Sequence, residues 1–220
     1  MFRLLAVILA ALAVAGCSND CSGTSCVKGS GKVISQTRPV DDFTAIRLDS
    51  IGHLTVQQTE ANSVTVETDD NVQPLVTALV KDGTLVLAET ACHDCSPTKI
   101  DFTVTVKSLK EIDLPSTGAA VVTKLDGPAL SVKMDGTGSL QLSGHVDDLK
   151  IALSGTGSCN AAQLTAKNAT VVLSGTGSVR VNVTDTLDAK LTGTGSILYR
   201  GSPKVTQSVS GTGSIKPDTD

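Results

Sequence analysis

Aromatic side chains are almost missing from this chain. Phe2, Phe43, Phe102 and Tyr199 are the whole set, 2% of 220 residues, and tryptophan is absent. That excludes a sugar cleft built on ring stacking, and it forces any core to be made of Val, Leu, Ile and Ala. A surplus of positive charge is also lacking. The 18 Lys and Arg stand against 22 Asp and Glu, for a net charge of -4. Nucleic acid, whose phosphates demand a basic face, is not an expected partner. Only one long apolar run exists, Leu4 to Val14, and it falls well short of the ~20 residues a membrane-spanning helix needs. No helical periodicity survives in the second half of the chain. What remains is 40% apolar residues and 20 glycines, a composition suited to thin, regular β layers.

The apolar run carries its own meaning. Arg3 followed by LLAVILAALAV reads as a secretory leader. It ends in Val14-Ala15-Gly16-Cys17, which resembles the lipobox of bacterial lipoproteins, two small residues before a cysteine that is acylated. The division expected is a leader over 1–16, a lipidated Ser/Gly-rich tether over 17–40, and a folded domain over 41–217. Several acyl chains on Cys17 would hold the chain stably at a membrane, its one expected partner surface. By the same resemblance, Ser18 after the cysteine, where an Asp would signal inner-membrane retention, favours the outer membrane. Which side the domain faces stays open.

Six cysteines are present: Cys17, Cys21, Cys26, Cys92, Cys95 and Cys159. A secreted chain permits disulfides. Cys92-His93-Asp94-Cys95 has the spacing of a redox or metal half-site. Zinc would need a second suitable pair, and only Cys21 and Cys26 in the tether are on offer. Redox activity of the thioredoxin type would need a βαβ context that is missing. Structural disulfides are the expectation. Local closures, Cys92 with Cys95 and Cys21 with Cys26, are the default, and pairing of tether to loop stays open. No metal and no cofactor is called for.

The strongest signal is a repeat. GTGS begins at Gly136, Gly155, Gly175, Gly193 and Gly211, at spacings of 19, 20, 18 and 18, and a degenerate copy, Ser116-Thr117-Gly118-Ala119, precedes them. Apolar residues alternate on both sides of each turn, as in Leu149, Ile151, Leu153 before and Cys159, Ala161 after. Equivalent positions match in type from copy to copy, as they do when each strand stacks on the next copy of itself. This predicts an all-β parallel solenoid of about 18–20 residues per rung, with GTGS turns over 116–214. The turn glycines Gly136, Gly138, Gly155, Gly157, Gly175, Gly177, Gly193, Gly195, Gly211 and Gly213 are expected to supply positive φ. Cys159 falls in an aliphatic column and reads as a small core residue. Thr117, Thr137, Thr156, Thr176, Thr194 and Thr212 form a hydroxyl column, with Ser139, Ser158, Ser178 and Ser196 beside it. The plain expectation is a ladder whose hydroxyls satisfy one another. The sharper one is a flat array that binds something repetitive, such as a glycan or ice.

The first half is β-rich as well. Asp82-Gly83 between apolar strands signals a hairpin, and Pro74 limits any helix near Asn71 to a single turn. This half is expected to cap the first rung, so that open strand edges do not aggregate. The strings FTAIRLDSIGHLTVQQ, SVTVETDDNVQPLVTALVKDGTLVL, FTVTVKSLKEIDLPSTGAA and GSPKVTQSVSGTGSIKP, with the repeated SGTGS blocks, resemble the head GIN domain family (putative auto-transporter adhesins) from about Phe43 to about Pro217. The resemblance implies a single-stranded right-handed β-helix and a role in cell adhesion. It implies no catalytic residues. GTGS in place of GSG, and the pair Cys92 and Cys95, depart from the family pattern.

An enzyme is not the expectation. Lyases on β-helices gather carboxylates for Ca²⁺ beside a basic residue. Here Asp113 and Asp135 fall in successive rungs out of register, Arg180 and Lys190 lie later with no carboxylate cluster beside them, Asp147-Asp148 reads as a solvated turn, and His53, His93 and His145 have no nucleophile at a suggestive spacing. The reading is a non-catalytic, lipid-anchored envelope protein, adhesion-like or structural, with a surface glycan or a protein as the kind of ligand it would take. A carbohydrate-active β-helix enzyme and a periplasm-facing structural or stress lipoprotein are the alternatives.

Overall fold

Extended backbone is the one conformation that sends every apolar residue of these alternating segments to the same face. The computed structural model describes residues 27–89 and 96–219, and in it the chain is all-β. The leader, Cys17, Cys21, Cys26, Cys92, His93 and Cys95 lie outside the described residues. Among those described, the one helical segment is the 3₁₀ turn Gln73–Leu75 at Pro74, and no helix is long and apolar enough to cross a membrane.

The described strands, in chain order, begin with β1 (Val33–Arg38), β2 (Ala45–Asp49), β3 (His53–Gln58) and β4 (Ser63–Asp69). β5 (Val76–Lys81), β6 (Thr84–Glu89), β7 (Ile100–Val106) and β8 (Glu111–Leu114) follow. The repeat half holds β9 (Ala119–Met134), β10 (Ser139–Leu153), β11 (Ser158–Leu173), β12 (Ser178–Leu191), β13 (Ser196–Arg200), β14 (Lys204–Val209) and β15 (Ser214–Pro217). β9 through β12 pair in parallel, each with the next. β13 and β14 stack on the two arms of β12, and β15 stacks on β13. The result is a parallel β-solenoid. Columns run through it as the repeat predicts: Ala120, Leu140, Cys159, Val179, Ile197 and Ile215 form one. Val132, Ile151, Val171 and Ala189 form another. The unequal repeat spacings are absorbed away from the turn. Register shifts between Ala161 and Thr165, and between Ala166 and Asn168, take up the extra residues and leave the columns on both sides of GTGS aligned.

The first half builds its cap by a route the repeat did not show. β2, the turn Ser50-Ile51-Gly52, and β3 already form a rung, on which β8 and the start of β9 stack directly. Between β3 and β8 the chain leaves and returns. β5 and β6 make the hairpin expected at Asp82-Gly83, with φ of 50 and 75 at those two residues, the pattern of a type I′ turn. β6 and β7 then lie parallel to β2 and β3 on their outer side, although they come later in the chain. β4 and β5 run antiparallel against this layer, and β1 runs antiparallel against β4. Reversal of direction ends the parallel ladder at that end. The two domain phenylalanines, Phe43 and Phe102, are both buried in this half.

The other end is finished differently. Val205, Gln207 and Val209 continue the inward columns of Leu187, Ala189 and Leu191. Val209 is 46% exposed and Gln207 is exposed, so the core columns reach solvent here.

Candidate functional site

The repeated turns form one long edge of the solenoid. Their backbone continues the strand ladder: the Thr176 N–H donates to the Gly155 carbonyl at 3.2 Å and the Ser178 N–H to the Gly157 carbonyl at 3.3 Å, and the next rung repeats both bonds. This contact is what demands glycine. A β-carbon on Gly175 would stand 2.0 Å from the Gly155 carbonyl oxygen, and one on Gly177 would stand 2.1 Å from that of Gly157. Positive φ is not the reason. Among the repeat-turn glycines only Gly211 has it, at 141°. The expectation of left-handed turn residues is therefore corrected: the rungs stack too closely at the corner for any side chain to fit between them.

Close glycines leave the flanking hydroxyls standing outward. Thr137, Thr156, Thr176, Thr194 and Thr212 are all exposed. Their hydroxyls take no part in the side-chain hydrogen bonds of the described residues, so the expected self-satisfying ladder is not what forms. Thr156, Thr176, Thr194 and Thr212 make one side of a shallow groove of about 400 Å³, Ser158, Ser178, Ser196 and Ser214 make the other, and glycine backbone is its floor. The groove presents donors and acceptors at the rung repeat, about 4.8 Å.

A second groove, of about 490 Å³, runs along the opposite arm of the rungs between Pro128, Leu130 and Leu149 below and Lys110, Lys150 and Asn168 beside. One wall is a fixed ladder across rungs: Asn168 donates to Asp148 at 3.0 Å, and the Thr186 hydroxyl donates to Asn168 at 2.6 Å.

The ionisable residues singled out from the sequence are dispersed. Asp113 pairs with Arg47, and Asp135 accepts from the Ser154 hydroxyl. Asp147 sits 2.6 Å from Lys167 and 3.8 Å from His145. The Lys167 ammonium holds the Asp147 carboxyl below the usual carboxylate range, and Asp147 in turn raises the lysine. Asp148 belongs to the Asn168 ladder, not to a pair with Asp147. Among the described residues no group of three or more His, Cys, Asp or Glu could hold a metal ion. Cys159 is 1% exposed in its aliphatic column, and burial pushes its thiol up to about 12. At neutral pH it is a protonated core side chain, not a nucleophile.

One cluster was not visible in the sequence. Asp69, at the end of β4, is fully buried. Its Oδ1 accepts from the Gly31 N–H at 2.8 Å and the Thr98 hydroxyl at 2.8 Å, and its Oδ2 accepts from the Thr98 N–H at 2.7 Å. Burial pushes this carboxyl up, but the Thr98 and Gly31 donors outweigh burial and hold it below its ordinary value. The N-terminal segment is thereby fastened to the loop before β7.

The same architecture is found in solved structures. An adhesin described as putative from Bacteroides fragilis NCTC 9343 superposes with a TM-score of 0.70 at 24% identity, covering 87% of this chain and 100% of its own. One from Parabacteroides merdae ATCC 43184 gives 0.55 at 22% identity, covering 88% and 99%. A protein from Parabacteroides distasonis ATCC 8503, described as a putative lipid binding protein, gives 0.54 at 21% identity, covering 89% and 100%. At these identities the likeness establishes the fold. A search of the curated proteins finds no match. The family model described as "Putative auto-transporter adhesin, head GIN domain" matches residues 42–203, and the chain belongs to that family.

Proposed function

We propose that this protein is a non-catalytic binding module of the cell envelope, adhesion-like, held at the outer membrane by lipid on Cys17. The observation that carries the binding role is the turn edge. A family of adhesin type is built here as a stack of rungs edged by a file of threonine hydroxyls with no side-chain hydrogen bond among the described residues. Unpaired hydroxyls at a fixed repeat suit an extended polar polymer, a glycan strand above all, because each rung offers the same donor and acceptor to each successive unit. Affinity then comes from many weak contacts in register, not from one deep cleft. In this reading the carboxylates are structural: Asp113 and Asp147 pair with Arg47 and Lys167, and Asp135 and Asp148 accept from Ser154 and Asn168.

Two measurements test the reading together. Cells expressing the native chain are labelled with palmitate, and intact cells are shaved with protease beside a periplasmic control. Label on the wild type and none on Cys17→Ser is expected, with the domain cut away while the control survives. Protection until the outer membrane is opened would turn the function inward, to a periplasmic structural role.

A further inference from the structure

The turn edge is not electrically uniform along its length. Two outward positions flank every turn, four residues before each threonine of the file and four residues after it. The first series is Asp113, Lys133, Ala152, Val172, Lys190 and Ser208, joined rung to rung by strand register. The second is Val121, Gln141, Asn160, Arg180, Leu198 and Lys216. Toward the cap the charges in these series are compensated. Asp113 pairs with Arg47, and Lys133 pairs with Glu111 at 2.6 Å. Toward the open end they are not. Arg180, Lys190 and Lys216 take part in no ion pair and no side-chain hydrogen bond among the described residues. Lys190 and Lys216 are exposed and Arg180 is half-buried. Asp188 stands two residues farther from the turn than Lys190 and makes no ion pair with it. The wider chain follows the same trend. Residues 150–217 carry seven Lys and Arg against two Asp, whereas the whole chain carries 18 against 22.

The groove of about 400 Å³ covers these same late rungs, from Thr156 to Thr212, and Thr137 does not line it. Lys190 flanks it on one side, and Arg180 and Lys216 flank it on the other, in three successive rungs. Arg180 and Lys216 are two rungs apart, about 9.6 Å at the spacing of stacked strands. We propose that the last three rungs of the turn edge bind an acidic polysaccharide, whose carboxylates meet Arg180, Lys190 and Lys216 while its hydroxyls meet the threonine file. The proposal rests on the turn edge being the glycan surface, and adds which class of glycan it selects. One exposed ion pair contributes little. Three cations held in register along one ligand strand act together, and the ladder that spaces them is already ordered before the ligand arrives. A neutral glycan keeps the hydroxyl contacts and loses the charged ones. A nucleic acid strand gains no base stacking, because no aromatic side chain lines the groove.

The test is binding of the full chain, in detergent, to polygalacturonate and hyaluronate, each beside its carboxyl methyl ester, and to poly-glutamate as a polyanion without sugar. The acidic glycans should bind about tenfold more tightly than their esters, the scale of three exposed ion pairs, and salt should erase the difference. The triple variant Arg180→Gln, Lys190→Gln, Lys216→Gln should lose the difference with its unfolding midpoint unchanged. The same change at Lys81, Lys107 and Lys124, which lie away from the turn edge, removes equal charge and should keep it. Thr176→Val, Thr194→Val separates the proposal from the reading beneath it. Acid and ester bound alike, both weakened by the threonine changes, overturn the acidic preference and leave the glycan edge standing. Acidic-glycan binding untouched by the threonine changes overturns both. Poly-glutamate bound as tightly as the acidic glycans, or neither acidic glycan bound, overturns the proposal, and protease shaving still decides the envelope role.

Discussion

Gly175 lies directly over Gly155: a β-carbon on the first would stand 2.0 Å from the carbonyl oxygen of the second. That oxygen also accepts the Thr176 N–H. Moving the chain to make room would break a ladder bond, so the turn cannot relax cheaply. Gly175→Val should destabilise the domain by more than about 1 kcal/mol. Gly127, where an added β-carbon meets nothing within 4 Å, is the control, and Gly127→Ala should stay within about 0.5 kcal/mol of the wild type. Chemical denaturation of the three proteins checks both. An unchanged midpoint for Gly175→Val would remove the stacking account of the repeat.

Cys159 should resist alkylation in the native protein and react once denaturant is added, since its thiol is buried and raised to about 12. Cys159→Ser places a hydroxyl without a partner in an apolar column, and should cost about 1–3 kcal/mol. Rapid native labelling at pH 8 would show the column open.

Acid should loosen the N-terminal segment. The Asp69 carboxyl is held below its ordinary 3.8. Its contribution is therefore complete above that value and is lost as pH falls through the lower folded value. Hydrogen exchange at Gly31 and Thr98 should accelerate in that acid window while the amides of β10 and β11 stay protected. Asp69→Asn, which cannot accept at both of its terminal atoms, should lower the melting temperature at neutral pH and flatten its fall in acid. Equal acid sensitivity in variant and wild type would show that another group governs the segment.

Gln207 stands where Val171 and Ala189 stand in the rungs beneath it. A polar side chain pointing inward on an edge strand discourages pairing with another edge. Gln207→Val should increase self-association, read by sedimentation velocity, with little change in unfolding. A variant that sediments like the wild type at high concentration would show that other features guard this edge.

The repeat half was legible because its information is local and redundant. Leu149, Ile151 and Leu153 flank a turn whose copies flank the same kinds of residue, and one register satisfies them all. The hairpin at Asp82-Gly83 and the short turn at Pro74 were legible for the same local reason. Four things were not. The turn Ser50-Ile51-Gly52 is a rung like the others, but Ile51 stands where the threonines stand and Ser50 where the first glycines stand, so the pattern was obscured. The order of rungs in the cap was hidden, because β6 and β7 lie outside β2 and β3 only by long-range pairing. The need for glycine was assigned to φ, because distance to the next rung has no trace in a single line of sequence. Asp69 carried no signal in the sequence. Its partners Gly31 and Thr98 are far from it in the chain.

The two ends of the stack differ in kind: one is sealed by strands that turn back, and the other simply stops on guarded edges. Neither finish depends on how many rungs lie between. A duplication of any stretch of about one repeat, placed among the GTGS turns, would meet the same glycine corner above and below and would disturb neither terminus. Length in this protein is thus a quantity that inheritance can adjust one rung at a time, and with it the length of the hydroxyl-lined turn edge.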